Sequence, residues 1–90
     1  MVEYKIVFSK QAYKDRNLLK EVGLEKKAKD LLDIIDQNPF QIPPRYEKLN
    51  GKLNGCFSRR INLQHRLVYM VDESKKEIWI LRMWSHYEKL

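Results

Sequence analysis

The chain has 90 residues, 43% of them hydrophobic, which gives room for one domain, residues 1–90, and excludes a second independent core. Eighteen Lys and Arg residues against twelve Asp and Glu residues give a net charge of +6, which favours an anionic partner such as nucleic acid, an acidic protein or an anionic membrane surface. One cysteine, Cys56, excludes an intramolecular disulfide, and no segment resembles a signal peptide or a membrane span, so we expect a cytoplasmic protein without membrane association.

The first half of the chain predicts one strand followed by two helices. Residues 4–8 are rich in strand formers, and Ser9 then offers an N-cap for a helix that ends between Glu21 and Gly23. Pro39 ends a second helix, because proline cannot continue the helical hydrogen bonds. The apolar stripe of this second helix recurs at helical spacing and consists of Leu24, Ala28, Leu31, Leu32 and Ile35.

The second half of the chain predicts a run of strands. Two prolines indicate an extended loop over residues 40–45, and the Asn-Gly pairs at 50–51 and 54–55 indicate tight turns. Three strands follow, at 56–62, 66–72 and 77–84. Because helices precede strands, we expect an α+β fold in which a strand and two helices are followed by an antiparallel sheet of three to four strands, with the helices on one face.

The loop between the first two of these strands decides which side chains share a face. A two-residue loop, 64–65, mixes charged and large apolar side chains on both faces. A three-residue loop, 63–65, pairs Asn62 with Arg66 and places charged and large apolar side chains largely on different faces. We favour this loop because one face can then be buried. Arg60 and Arg66 then share a solvent-facing surface. One face carries Phe57, Arg59, Ile61, Leu67, Tyr69 and Val71, and the other carries Ser58, Arg60, Asn62, Arg66, Val68 and Met70.

Cleavage of RNA is a reaction that these residues permit. RNA supplies its own nucleophile, the 2′-hydroxyl, so the protein needs a base, cations for the charge of the transition state and an acid for the leaving oxygen. The chain has two histidines, His65 in a predicted turn and His86. Its carboxylates lie mostly in predicted helices or turns, except Glu47, which lies between the proline loop and the strands. Distant histidines and a lone cysteine give no metal-ligand spacing, so we expect no metal and no cofactor.

Each candidate also has a purely structural interpretation. Glu47 suits an ordinary surface carboxylate, His86 a solvated residue near the terminus and Tyr87 an aromatic packed on the sheet edge. The pair Arg59-Arg60 is more often solvated than a phosphate clamp. The residues alone therefore permit metal-free RNA cleavage without requiring it.

A more specific pattern spans residues 46–88. It consists of Y-E-K-L at 46–49, S-R-R-I at 58–61, H-R-L-V-Y at 65–69 and S-H-Y-E at 85–88. Together these motifs resemble the YoeB branch of the RelE superfamily, the toxins of bacterial toxin–antitoxin modules. The predicted strand and paired helices at the N-terminus fit the layout of that family, and the motifs cover about half of the chain in detail.

The resemblance implies a microbial-ribonuclease-like RelE fold and a ribosome-dependent mRNA endoribonuclease that cuts in the ribosomal A site without a metal. The products are a 2′,3′-cyclic phosphate and a 5′-hydroxyl. Glu47 matches the general base of the family, Arg66 the arginine that stabilises the scissile phosphate, His86 the general acid and Tyr87 a tyrosine that positions the substrate. Arg60 matches a further phosphate-binding arginine.

Three positions depart from the family pattern. Asn50 stands where relatives often have a basic residue, so that one phosphate contact is either missing or made by Lys52. Cys56 replaces a larger apolar residue, and the chain continues for three residues after Tyr87. None of these departures removes a proposed catalytic group.

The implied partners are mRNA, the ribosome and an acidic, YefM-like antitoxin with a disordered segment that folds along the toxin. A toxin homodimer and a toxin–antitoxin hetero-oligomer are both compatible with the sequence. Two other functions stay open. One is a non-nuclease relative of the ParE type that acts by binding a protein, which does not require Glu47, Arg66 and His86 together. The other is a basic module that binds RNA or the ribosome without cleaving it.

Overall fold

The computed structural model describes residues 4–84 of the chain. The elements in chain order are β1 (Lys5–Phe8), α1 (Lys10–Glu21), α2 (Glu25–Gln37), β2 (Glu47–Lys48), a 3-10 helix (Gly51–Leu53), β3 (Cys56–Arg60), β4 (Arg66–Asp72) and β5 (Glu77–Arg82). This order confirms the predicted α+β class, with one strand and two helices ahead of the remaining strands. The main differences are the short strand β2 and the earlier ends of β3 and β5.

The ends of both helices follow the chemistry of the sequence. The Ser9 hydroxyl accepts a hydrogen bond from the main-chain N of Ala12 at 3.0 Å, which caps α1 as predicted. The same hydroxyl donates to the main-chain O of Leu81 at 2.8 Å and so ties the start of α1 to β5. Gly23, with a φ of 77°, lets the chain leave α1 in a left-handed conformation. Neither helix within residues 4–84 has the length and apolarity needed to cross a membrane.

The sheet differs from the antiparallel sheet of three to four strands that the sequence predicts. It has five strands in the order β1-β5-β4-β3-β2, and β1 runs parallel to β5 whereas the other neighbours are antiparallel. The two helices carry the chain from one edge of the sheet to the other. The next four strands then return by adjacent antiparallel pairing, so that β5 comes to lie beside β1.

The hairpin between β3 and β4 has a longer loop than the sequence predicts. Arg60 pairs with Arg66, which leaves residues 61–65 in the loop, so the predicted pairing of Asn62 with Arg66 is wrong. The Asn62 side chain closes the loop instead, because its Oδ1 accepts a hydrogen bond from the main-chain N of His65 at 2.7 Å. The register shifts by two residues, and side chains alternate with a period of two, so the predicted separation of the faces holds.

The two faces of the sheet are buried to different extents. One face packs against the helices and forms the main core, whose fully or nearly fully buried members include Ala12, Leu19, Ile35, Leu67, Tyr69, Ile78 and Ile80. The opposite face carries a smaller cluster of Leu49, Cys56 and Val68, partly covered by Leu53 and Leu81. The rest of that second face is where polar and charged side chains of β2, β3 and β4 collect.

Candidate active site

A cleft of about 480 Å³ opens on the sheet face opposite the helices, beside the ends of β3 and β4 that meet the hairpin loop. Three guanidinium groups and one carboxylate line it, so its charge favours an anion. Guanidinium groups bind phosphate well because two of their N–H donors match two phosphate oxygens. The complete lining is Pro44, Arg45, Glu47, Ser58, Arg60 and Arg66.

Glu47 and Arg66 belong to strands on either side of β3 and meet across it. Glu47 lies opposite Ser58 in the β2–β3 pair, and Arg66 lies opposite Arg60 in the β3–β4 pair. Arg66 Nη1 is 3.7 Å from Glu47 Oε1, and the exposed fraction of the side chain is 14% for Arg66 and 45% for Glu47. Because the carboxylate is well exposed, water screens the ion pair, which then contributes about 1 kcal/mol or less. An anion can therefore separate the two groups at little cost.

Arg59 holds the proline loop that forms one wall of the cleft. The preference for a solvated Arg59-Arg60 pair is wrong for Arg59, which is fully buried on the core face, whereas Arg60 is exposed. The Arg59 guanidinium donates hydrogen bonds to the main-chain O of Pro44 at 2.5 Å and to the main-chain O of Pro39 at 3.0 Å. Both ends of the loop are thereby bound to β3, and the loop bends at residues 42–44 where the sequence predicts an extended segment.

Tyr69 completes this buried arrangement. Its hydroxyl donates to the main-chain O of Pro39 at 2.7 Å and accepts a hydrogen bond from Arg59 Nε at 3.1 Å. Burial raises the pKa of Tyr69, although Arg59 opposes that shift, so the hydroxyl stays protonated and keeps donating to the loop. The guanidinium of Arg59 also lies 5.0 Å from the centre of the Tyr46 ring, directly before Glu47 in the chain.

His65 anchors Trp84, the last residue that the structure describes. Its ring stacks on Trp84 with 4.0 Å between ring centres, and its Nδ1 contacts the main-chain O of Trp84. His65 directly precedes Arg66 of β4. The interpretation of His65 as a turn residue is therefore correct for its position in the chain, and the ring additionally anchors the segment that follows β5.

Comparison with known proteins identifies the family. The family model for YoeB-like toxins of bacterial type II toxin–antitoxin systems matches residues 8–87. The chain belongs to this family. It is similar to the toxin YoeB of Synechocystis, with 35% identity over 75 residues that cover 83% of this chain and 78% of that protein. It is also similar to the toxin YoeB of Escherichia coli K12, with 32% identity over 77% of this chain and 84% of that protein.

Solved structures agree with this assignment and with the RelE fold. A YoeB/ParE toxin from Agrobacterium tumefaciens has a TM-score of 0.84 at 28% identity and covers 92% of this chain and 99% of that one. The YoeB toxin in a heterotetrameric YoeB–YefM complex from Staphylococcus aureus has a TM-score of 0.78 at 38% identity, covering 96% of this chain and 100% of that one. The S. aureus toxin has also been solved as a dimer, with a TM-score of 0.80.

The structure brings three of the six residues chosen from the sequence to one cleft. These are Glu47, Arg60 and Arg66. Lys52 is exposed in the 3-10 helix and is not among the described residues that line the cleft. His86 and Tyr87 lie outside the described residues. Within residues 4–84, no group of three or more His, Cys, Asp and Glu side chains is arranged to hold a metal ion.

The sequence reasoning missed three lining residues, of which two, Arg45 and Ser58, have polar side chains. Arg45 lies in the irregular loop after the prolines, where no periodicity indicates the direction of a side chain. Ser58 had a usable signal, because it precedes Arg60 by two positions on β3 and so shares its face. Its small side chain gave no reason to single it out.

Proposed function

We propose that the chain is a ribosome-dependent mRNA endoribonuclease, the toxic half of a toxin–antitoxin module. The observation that supports this most strongly is the approach of Glu47 and Arg66, which are 19 positions apart in sequence and on non-adjacent strands, to 3.7 Å at a cleft rich in arginine. A carboxylate and a guanidinium around one anion-binding cleft are two of the three groups that RNA cleavage by its own 2′-hydroxyl requires.

In the proposed reaction, the scissile phosphate enters between the two groups. The Glu47 carboxylate takes the proton of the 2′-hydroxyl, whose oxygen attacks the adjacent phosphorus. Arg66 and Arg60 neutralise the charge that builds on the non-bridging oxygens. His86 donates a proton to the departing 5′-oxygen, and Tyr87 positions the substrate. The P–O5′ bond breaks, and the products are a 2′,3′-cyclic phosphate and a 5′-hydroxyl.

Two features of the described chain are compatible with a role for His86. Trp84, two positions before it in the sequence, is held against His65, and His65 is adjacent to Arg66. Residues 83–84 therefore follow β5 at the end of the sheet where Arg60 and Arg66 pair, which is the end that carries the cleft. The reaction itself needs a ribose 2′-hydroxyl, so DNA is not a substrate.

The proposed regulator is an acidic antitoxin of the YefM kind. The S. aureus relative forms a heterotetrameric complex with YefM, and the charge of +6 on this chain suits an acidic segment that folds on binding. A homodimer, as in the other S. aureus structure, is a second assembly to test. We place the protein in the cytoplasm, where ribosomes and mRNA are found.

The test compares Glu47→Gln and His86→Gln with the wild type and with Glu73→Gln. Glu73 is an exposed carboxylate in the β4–β5 turn, at the other end of β4 from Arg66, and serves as the matched control. Primer extension on mRNA after brief induction, with and without a block of translation, reports the cleavage sites. We expect cuts with the wild type and Glu73→Gln that disappear when translation is blocked, and none with the other two variants.

Intact growth arrest and mRNA cleavage by His86→Gln would refute the proposed role of His86 as the general acid. Growth arrest by all variants without any mRNA cleavage would favour a ParE-type toxin that acts by binding a protein. Binding of ribosomes without growth arrest would favour a basic binding module.

A further inference from the structure

Ser58 lines the cleft with a hydroxyl that is fully buried and, within residues 4–84, makes no hydrogen bond with nitrogen or oxygen atoms of the fold. The residue is only 2% exposed, yet it lines the cleft. Buried hydroxyl groups nearly always have a partner, because losing the hydrogen bonds of water is unfavourable. An alanine would fill the same position on β3 without that penalty.

The register of the sheet places Glu47 and Arg66 close to Ser58 in the cleft. Glu47 lies directly opposite Ser58 on β2, and Arg66 lies one pair further along β4, opposite Arg60. Strands two apart are separated by nearly 10 Å, so the side chains of Glu47 and Arg66 reach each other only by crossing β3. The Ser58 side chain projects from β3 into the same cleft as their 3.7 Å contact. An anion that separates the ion pair then meets the cleft lining, which includes Ser58.

We infer that the Ser58 hydroxyl is a substrate-binding group that donates a hydrogen bond to a non-bridging oxygen of the scissile phosphate. This inference rests on the proposed function and adds to it a neutral donor at the floor of the cleft. The phosphate enters between Glu47 and Arg66 and accepts hydrogen bonds from part of the Arg66 guanidinium. It then approaches the Ser58 hydroxyl from the open side of the cleft. The donor is aimed at the anion by β3, which pairs with a strand on each side.

The alternative is that Ser58 is only a spacer, small enough to let two long side chains meet above it. The two interpretations predict opposite results for Ser58→Ala. A spacer loses nothing when its hydroxyl is removed, so RNA binding stays unchanged. A phosphate donor loses affinity, whereas the fold is unaffected or more stable because an unsatisfied buried group has gone.

The experiment measures binding of two probes to the full chain by calorimetry. One probe is a single-stranded RNA with a 2′-O-methyl group on every ribose, which cannot be cleaved, and the other is inorganic phosphate. Ser74→Ala is the matched control, since the Ser74 hydroxyl bonds to Asp72 in the β4–β5 turn, away from the cleft. We expect Ser58→Ala to bind the RNA analogue about ten-fold more weakly, the lower range for a hydrogen bond to a charged oxygen. Ser74→Ala binds like the wild type.

The salt dependence separates this contact from those of the arginines. Removing a neutral hydroxyl releases no counterions, so the ratio of wild-type to Ser58→Ala affinity stays constant as salt is varied. Removing a cation in Arg60→Ala lowers the slope of log affinity against log salt by about 0.7 for a single strand. Unchanged affinity of Ser58→Ala overturns the inference, and so does a lowered thermal midpoint, which would assign the hydroxyl to the fold.

These outcomes are distinct from failure of the proposed function. If the wild type cuts mRNA on ribosomes and Ser58→Ala binds and cuts equally well, the inference fails and the nuclease stands. If the wild type cuts no mRNA but binds both probes with the loss described, the phosphate contact stands and the nuclease fails. A wild type that binds neither probe overturns the inference as well.

Discussion

Replacing Arg59 by alanine should destabilise the fold far more than the same replacement at Arg60. The two residues are neighbours in sequence, but Arg59 is fully buried and Arg60 is exposed. Arg59→Ala removes a charged donor from the carbonyls of Pro44 and Pro39, each such loss being worth about 1–3 kcal/mol. It also removes two buried methylene groups, Cγ and Cδ, at about 0.8 kcal/mol each.

Two effects reduce this sum. The carbonyl of Pro39 keeps its hydrogen bond from Tyr69, at 2.7 Å. Within residues 4–84, no carboxylate lies at ion-pair distance from Arg59, so its removal also relieves the burial of an unpaired charge. We therefore expect a net loss of about 3 kcal/mol in the free energy of unfolding. This is a large part of the roughly 5–15 kcal/mol that stabilises a typical domain.

Urea denaturation followed by tryptophan fluorescence measures this difference, with Arg60→Ala as the matched control. The control should stay within about 0.5 kcal/mol of the wild type, as exposed substitutions usually do. Arg59→Lys should lie between, because one ammonium group cannot match the spread of the guanidinium donors. The reasoning is refuted if Arg59→Ala unfolds at the urea concentration of the wild type, or if Arg60→Ala loses as much stability.

Three other predictions concern groups outside the cleft. Asp15 is 3% exposed and accepts hydrogen bonds from Arg82 Nε at 2.7 Å and the main-chain N of Met83 at 3.1 Å, so Asp15→Ala should cost about 3 kcal/mol in urea denaturation. Burial raises the pKa of the Cys56 thiol, so iodoacetamide at pH 8 should modify the native protein at least ten-fold more slowly than the protein in urea; equal rates would contradict its burial. A hydrogen bond from Ser74, more than other causes, lowers the pKa of Asp72, so its stabilising effect is present above the unfolded pKa near 4 and is lost as pH falls through the lower folded pKa. Stability measured from pH 5 to pH 2 should therefore fall less in Ser74→Ala than in the wild type.

The helices and the sorting of the sheet faces could be predicted because both depend on robust local patterns. The cap at Ser9 needs only a hydroxyl at the right position, and the stripe of α2 repeats over about three turns. The assignment of side chains to the two faces of the β3–β4 hairpin is unaffected by an error of two residues in the loop length, since a two-residue shift leaves each side chain on the same face. The loop length itself depends on the Asn62 side chain, whose hydrogen bonds the alternation pattern does not contain.

Other features depend on distant parts of the chain and carry no local signal. Strand β2 has two residues and forms only by pairing with β3. The parallel pairing of β1 with β5 joins segments more than 70 positions apart. Burial of Arg59 requires oxygen atoms from Pro39, Pro44 and Tyr69, at sequence separations of 20, 15 and 10. A charged residue on an apolar strand face indicates that the charged group needs buried hydrogen-bond partners. Only the three-dimensional structure shows which atoms these partners are.

The alternation of β3 links the stability of the cleft to its chemistry. Arg59 points into the core and binds the carbonyl of Pro44, whereas Ser58 and Arg60 on either side of it point into the cleft. Pro44 in turn lines the cleft, so the buried arginine positions the wall that faces its two neighbours. Because successive residues of a strand cannot share a face, a one-residue shift of β3 would expose the anchor and bury the site together. The register of β3 therefore determines both the position of Pro44 and the direction of the side chains that line the cleft.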